Sequence, residues 1–180
     1  MLDTLISLNN DILFFFNSLP REIHVASYLI GLSIYPMMLL VVYLAYKQNK
    51  MMGIKAFISL IFAYTVSLLL KYYFHIARPY ESLENLTIIE QKSSHSFPSS
   101  HTTVAFAASE TSPVYKNSLR IWAVIIALSR VVLGVHYITD VIAGALLGIL
   151  VSHLFARWDL GQKLKGMYAF GRGVIRILKK

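Results

Sequence analysis

The feature that most restricts this chain is a long stretch without charge. From Ile23 to Tyr46 there is no Asp, Glu, Lys or Arg. As a helix, those residues rise roughly 36 Å, enough to cross the hydrocarbon layer of a bilayer. The rest of the chain is similar in character: 56% of the 180 residues are hydrophobic and only 14% are charged. A soluble domain of this size needs a larger polar coat. The chain therefore reads as an all-α, multi-pass transmembrane helix bundle. Its net charge of +8 would suggest nucleic acid in a soluble protein. Here the cations fall mostly in short inter-helix loops and the tail, where they set topology, so no nucleic-acid partner is expected. With no cysteine in the sequence, disulfides, thiolate nucleophiles and zinc–sulfur sites are excluded.

Three regions are expected. Residues 1–19 carry Asp3 and Asp11 and no basic residue before Arg21, which does not fit a signal peptide. Leu2, Leu5, Ile6, Ile12, Leu13, Phe16 and Leu19 recur at helical spacing, which predicts an amphipathic helix lying in the interface and ended by Pro20. Residues 20–157 form the transmembrane domain, with five spans. The first covers about Ile23–Tyr46, bent near Pro36, and the second about Ala56–Ala77, followed by a polar loop over 79–98. The third begins around Ser99–His101 and must continue, kinked, through Pro113 to about Lys116 in order to cross. The fourth covers about Ser118–Leu133 and the fifth about His136–Ala156. Residues 158–180 form a basic cytoplasmic tail.

Orientation follows from counting cations on each side. With the N-terminus outside, Lys47, Lys50, Lys55, Lys116, Arg120 and seven more from Arg157 onward lie inside. Arg21, Lys71, Arg78, Lys92 and Arg130 lie outside. This bias points to N-out, C-in, in a cytoplasmic (inner) membrane, with the polar loop extracytoplasmic.

Ionisable groups in or beside spans are costly and are functional candidates by default. Lys71 and Arg78 are two helical turns apart, and Pro79 disfavours helix at Arg78; snorkelling cations at a helix end are the alternative. Pro98-Ser99-Ser100-His101 stands before an apolar helix, where free N–H groups can bind an anion or Ser can simply cap the helix. His136 and Asp140, at i and i+4, share a face, so the carboxylate can fix the imidazole tautomer or serve as a structural partner. Ser129-Arg130 lies across a short turn at Gly134. Three cations, two histidines, a carboxylate and a helix N-terminus thus converge at one membrane depth. Such a set suits phosphoryl transfer, where catalysis is mostly positioning and charge stabilisation.

These residues resemble the type 2 phosphatidic acid phosphatase (PAP2) superfamily, which shares its site with vanadium haloperoxidases. That family's motifs are K-x6-R-P, P-S-G-H and S-R-x5-H-x3-D. The chain has Lys71…Arg78-Pro79, Pro98-Ser99-Ser100-His101 and Ser129-Arg130…His136…Asp140. It departs at Ser100, where the family usually has glycine and where a side chain now crowds the approach to phosphate. The resemblance implies that His136 attacks phosphorus, Asp140 orients it, and His101 protonates the leaving oxygen and then activates water. Lys71, Arg78, Arg130 and the Ser99–Ser100 backbone would hold phosphate oxygens. No cofactor is then required, a metal site built from His101, His136 and Asp140 being the alternative. The implied substrate is a phosphorylated membrane lipid, foremost undecaprenyl diphosphate. A lipid A 1-phosphate, phosphatidylglycerophosphate or phosphatidic acid are the other candidates, and a non-catalytic lipid or anion carrier is the reading from a different class. The oligomeric state is left open.

Two further features bear on the layout. His136, Asp140, Gly144, Gly148 and Ser152 fall at successive i+4 positions, and Gly144-x-x-x-Gly148 lets a neighbouring helix approach closely, within the bundle rather than across a dimer. Glu81, Glu84 and Glu90 would repel a second phosphate unless Lys92 or a cation compensates.

Overall fold

The computed structural model describes the backbone of residues 2–157, with side chains from Thr4 onward. The basic tail expected over 158–180 lies outside the described residues. Among these, every regular element is an α-helix: α1 (Leu2–Asn17), α2 (Arg21–Leu32), α3 (Ile34–Gln48), α4 (Lys50–Phe74), α5 (Pro79–Ser82), α6 (Ser100–Ser109), α7 (Lys116–Val132) and α8 (Ile138–Arg157).

Proline writes two of the boundaries. A proline ring removes one helical N–H and collides with the carbonyl four residues earlier. Pro36 acts in this way on Leu32, the last residue of α2, and the chain resumes as α3 after Ser33. The expected bend therefore sits one turn before Pro36. Pro113 acts likewise on Ser109, the last residue of α6. The expectation of a kinked helix continuing to Lys116 is corrected here. Residues 110–115 are not helical, and α6 rises only about 15 Å at 1.5 Å per residue. Elsewhere α4 ends where His75 turns left-handed, at φ 50°.

Among the described residues, three helical stretches are long and apolar enough to cross a membrane: Arg21–Gln48, Lys50–Ser82 and Ile138–Arg157. Large apolar side chains cover the outside of the molecule, among them Leu39 on α3, Leu69 on α4, Ile121 on α7 and Leu146 on α8. A surface like this is stable against lipid and not against water. The chain is a membrane protein.

The centre is α6, in which no residue is fully exposed. Val104, Ala105, Ala107 and Ala108 form the core there with Leu60 and Ala63 of α4, Ala123 and Ile126 of α7, and Val151 of α8. Small residues permit the close approach of α6 and α8. A Cβ on Gly144 would lie 2.7 Å from the carbonyl oxygen of Ser99, and one on Gly148 would lie 2.2 Å from that of Thr103. The glycine stripe thus packs within the chain. Ser152 on the same stripe donates to the Ala107 carbonyl at 2.7 Å.

At the far end of α6, Glu110 pairs with Lys116 at 2.7 Å and Arg120 at 2.6 Å. Burial pushes this carboxyl up, but the two cations outweigh it and hold it below the usual range. At the opposite end, α1 lays Leu13 against Val131 of α7 and Val141 of α8. Asn17, a polar residue in the last turn of this amphipathic helix, is buried. Its amide donates to the carbonyls of Thr87 and Val132 and accepts from the Thr87 N–H, tying α1 to the loop and to the end of α7.

Candidate active site

Four separate stretches meet at the end of the bundle where α6 begins. His136 lies in the turn between α7 and α8, entered through Gly134 at φ 64°. Its Nδ1 is 3.3 Å from Oδ2 of Asp140, in the first turn of α8. That oxygen also accepts from the Tyr137 N–H at 2.9 Å and from the Ser96 hydroxyl. A carboxylate fixed in this way favours the tautomer with its proton on Nδ1, leaving the Nε2 lone pair free to act. Nε2 points toward Arg78, whose Nη1 is 3.3 Å away.

The cations arrive by different routes. Lys71 comes from the last turn of α4 and is buried, its ammonium donating to the carbonyls of His95 and Ser96, each at 2.8 Å. Arg78 lies beyond the end of α4, in the extended conformation expected before a proline, and caps α5. It reaches the site from the loop, so no shared helical face joins it to Lys71. Its guanidinium donates to the carbonyls of Ser94 and Val135, each at 2.7 Å. Arg130, in the last turn of α7, donates to the Ser27 carbonyl at 2.9 Å and pairs with Glu90 at 3.1 Å. It crosses α2 directly over Gly31, where a Cβ would stand 1.8 Å from Nη2.

These groups surround a cavity of about 410 Å³. Lys71, Arg78, Ser100, His101, Arg130 and His136 line it, joined by Lys92 and Ser94 from the loop. The rest of the lining is largely apolar or aromatic, with Ile34, Tyr35 and Met38 of α3 and Leu68 of α4. His101 stands edge-on to Tyr35, ring centroids 6.4 Å apart. Six of the eight residues singled out from the sequence therefore share one chamber. Asp140 stands behind His136 instead.

Ser99 is also outside the lining. Its N–H donates to the Asp140 carbonyl at 3.1 Å and its carbonyl accepts from the Thr103 hydroxyl at 2.9 Å. That N–H is therefore engaged in joining α6 to α8 and is not directed at the cavity. Ser100, in the glycine position, sets its hydroxyl 2.8 Å from that of Ser67 on α4. Among the described residues no three or more His, Cys, Asp or Glu side chains are grouped to hold a metal ion. The alternative site of His101, His136 and Asp140 is not formed.

Sequence reasoning missed the work of the loop. Residues 90–96 touch every cationic motif residue and the His–Asp pair. Glu90 holds Arg130, Ser94 holds Arg78, the His95 and Ser96 carbonyls hold Lys71, and the Ser96 hydroxyl reaches Asp140. The only trace in the sequence is the polar run Ser93-Ser94-His95-Ser96 beside the Pro98 motif. Gly31 was missed as well, although a lone glycine inside an apolar span is a signal of close approach.

A preformed chamber with a lone-pair nitrogen facing fixed cations can accept a tetrahedral anion and attack it. The chain is 34% identical over 116 residues to the bacitracin transport permease protein BcrC of Bacillus licheniformis, covering 62% of this chain and 57% of that one. It is 36% identical over 117 residues to the undecaprenyl-diphosphatase of Sulfolobus acidocaldarius, again covering 62% and 57%. The matches thus span little more than half the length of these curated relatives. The crystal structure of Aquifex aeolicus LpxE has the same fold, with a TM-score of 0.75 at 23% identity, covering 84% of this chain and 96% of that one. The model of the PAP2 superfamily matches residues 53–163, a stretch that holds all three motifs, and the chain belongs to that superfamily.

Proposed function

We propose that this protein is a membrane lipid phosphatase that removes the terminal phosphate of undecaprenyl diphosphate, or a closely similar prenyl diphosphate, through a phosphohistidine on His136. The observation that carries this reading is the His136–Asp140 pair at a cavity lined both by cations and by apolar side chains. A lipid needs both at once: cations for the headgroup, and α3 and α4 for the first part of the tail.

His136 Nε2 attacks phosphorus while Asp140 stabilises the ring as its charge rises. Lys71, Arg78 and Arg130 neutralise the phosphate oxygens, and each is fixed in place before substrate arrives. His101 gives a proton to the leaving oxygen, then takes one from the water that hydrolyses the intermediate. In this reading there are five spans, the third made of the short α6 with residues 110–115 and the fourth of α7, and the N-out orientation favoured by the cation count has the site at the extracytoplasmic face, with α1 resting in the interface.

The test is phosphate release by purified protein in detergent and EDTA, across prenyl diphosphates, phosphatidylglycerophosphate, phosphatidic acid and lipid A. His136→Ala is expected to abolish turnover and acid-labile labelling of the protein from a phosphorus-32 substrate; turnover at the wild-type rate would overturn the nucleophile. The name of the Bacillus licheniformis relative favours a second reading, a carrier using the same pocket. Binding without phosphate release in EDTA would establish that reading instead.

A further inference from the structure

Lys92 belongs to none of the three motifs, yet it lines the same cavity as His101, Arg130 and His136. Two features fix it there. The Tyr80 hydroxyl donates to the Lys92 carbonyl at 2.8 Å and accepts from its N–H at 2.9 Å, clamping the backbone. The Glu90 carboxylate pairs with the Lys92 ammonium and, at 3.1 Å, with Arg130, so the two cations are tethered side by side. Glu90 itself is not part of the lining. One carboxylate shared by two cations leaves the group net positive.

The other acids of the loop are also engaged or turned away. Glu81 accepts from the Arg78 N–H at 2.9 Å, and Glu84 is exposed. Glu90 is thus paired with Lys92 and Arg130, the compensation required if these acids are not to repel a second phosphate. One tetrahedral phosphate on His136 can be surrounded by Lys71, Arg78 and Arg130. Lys92 is a fourth cation, with a side chain 34% exposed where the other three are buried, so it faces the outer part of the chamber, beyond the phosphate that they hold.

We propose that Lys92 is the specificity-determining cation for the second phosphate, the one that stays on the lipid, and makes the site selective for diphosphates. This rests on the phosphatase reading above. Attack by His136 Nε2 forms the N–P bond and breaks the bond from the terminal phosphorus to the bridging oxygen. The electron pair goes to that oxygen, which takes a proton from His101 and leaves as part of a lipid monophosphate. Lys92 neutralises the negative charge of that leaving phosphate. Water then cleaves the N–P bond, releasing inorganic phosphate and restoring His136.

The test compares farnesyl diphosphate with farnesyl monophosphate, which share one tail, in wild type, Lys92→Gln and Lys92→Arg. One charge-assisted contact to a leaving group corresponds to a fall of about ten-fold or more in the diphosphate-to-monophosphate ratio of kcat/KM in Lys92→Gln. Lys92→Arg is expected to recover most of that ratio. Because a ratio from one preparation cancels the folded fraction, a merely structural role for Lys92 would leave it unmoved. An unchanged ratio in Lys92→Gln, or a wild type that hydrolyses only the monophosphate, overturns the Lys92 assignment and leaves the phosphatase standing. A wild type inert toward both esters overturns the phosphatase reading, and the assignment with it.

Discussion

Arg130 shows how one side chain depends on an atom that is missing elsewhere. Its guanidinium can reach Ser27 and Glu90 only by crossing the backbone of Gly31. Alanine at this position is a better helix former, so propensity alone would favour it. A methyl group 1.8 Å from Nη2 leaves no room, however, and the guanidinium must move. Gly31→Ala is therefore expected to keep the fold, because a flexible side chain end can yield. It should lower kcat/KM for phosphate release by about ten- to hundred-fold, the loss of one strong charge-assisted contact. Steady-state kinetics beside circular dichroism of the same preparation would check it. No sequence rule linked Gly31 to Arg130, since they are far apart in the chain and only the crossing of α2 and α7 brings them together. The motif residues were legible for the opposite reason: their spacing within each short segment carries the chemistry. What spacing could not carry is the loop of residues 90–96, whose carbonyls hold Lys71 and Arg78. Backbone oxygens have no sequence signature.

At the scale of elements, the α6–α8 contact decides whether the site assembles. It joins the helix of His101 to the helix of Asp140 through backbone-close packing at Gly144 and Gly148. Gly148→Ala places a methyl group 2.2 Å from the Thr103 carbonyl, which is backbone and cannot swing aside. Overpacking of this kind costs about 1–3 kcal/mol, more than the helix propensity gained. A lowered Tm in detergent with Gly148→Ala, and a steeper drop with Gly148→Leu, would be the signature. The glycine stripe was readable because i+4 spacing is a property of helices wherever they occur. The end of α6 was not read correctly. The demand that each apolar helix cross the bilayer pushed the expected helix through Pro113, whereas the proline's clash with Ser109 ends it there. The burial of Asn17 escaped notice because a helix wheel cannot show that a loop and a second helix end will close over a polar residue.

For the whole molecule, the pattern is that of a bundle turned toward lipid, with many large apolar side chains outside and a core that combines apolar residues such as Leu60 and Ile126 with buried polar ones. Membrane character was legible from composition alone, and among the described residues three stretches have the length and hydropathy of a span. Orientation is open to a direct check, since the chain has no native cysteine to remove. In intact cells, a cysteine at exposed Glu84 is expected to react with an impermeant maleimide. One at exposed Lys50 should react only after permeabilisation. The reverse pattern would put the site on the cytoplasmic side.

The central placement of α6 carries one more consequence. Ten residues long and bordered by other helices, it has no fully exposed residue to meet acyl chains. Changes in bilayer thickness or tail order can reach His101 only through the surrounding helices, which absorb them by tilting. If the protein is the proposed phosphatase, the lipid environment governs how readily a substrate is captured from the leaflet, while bond breaking proceeds in surroundings that the membrane hardly perturbs.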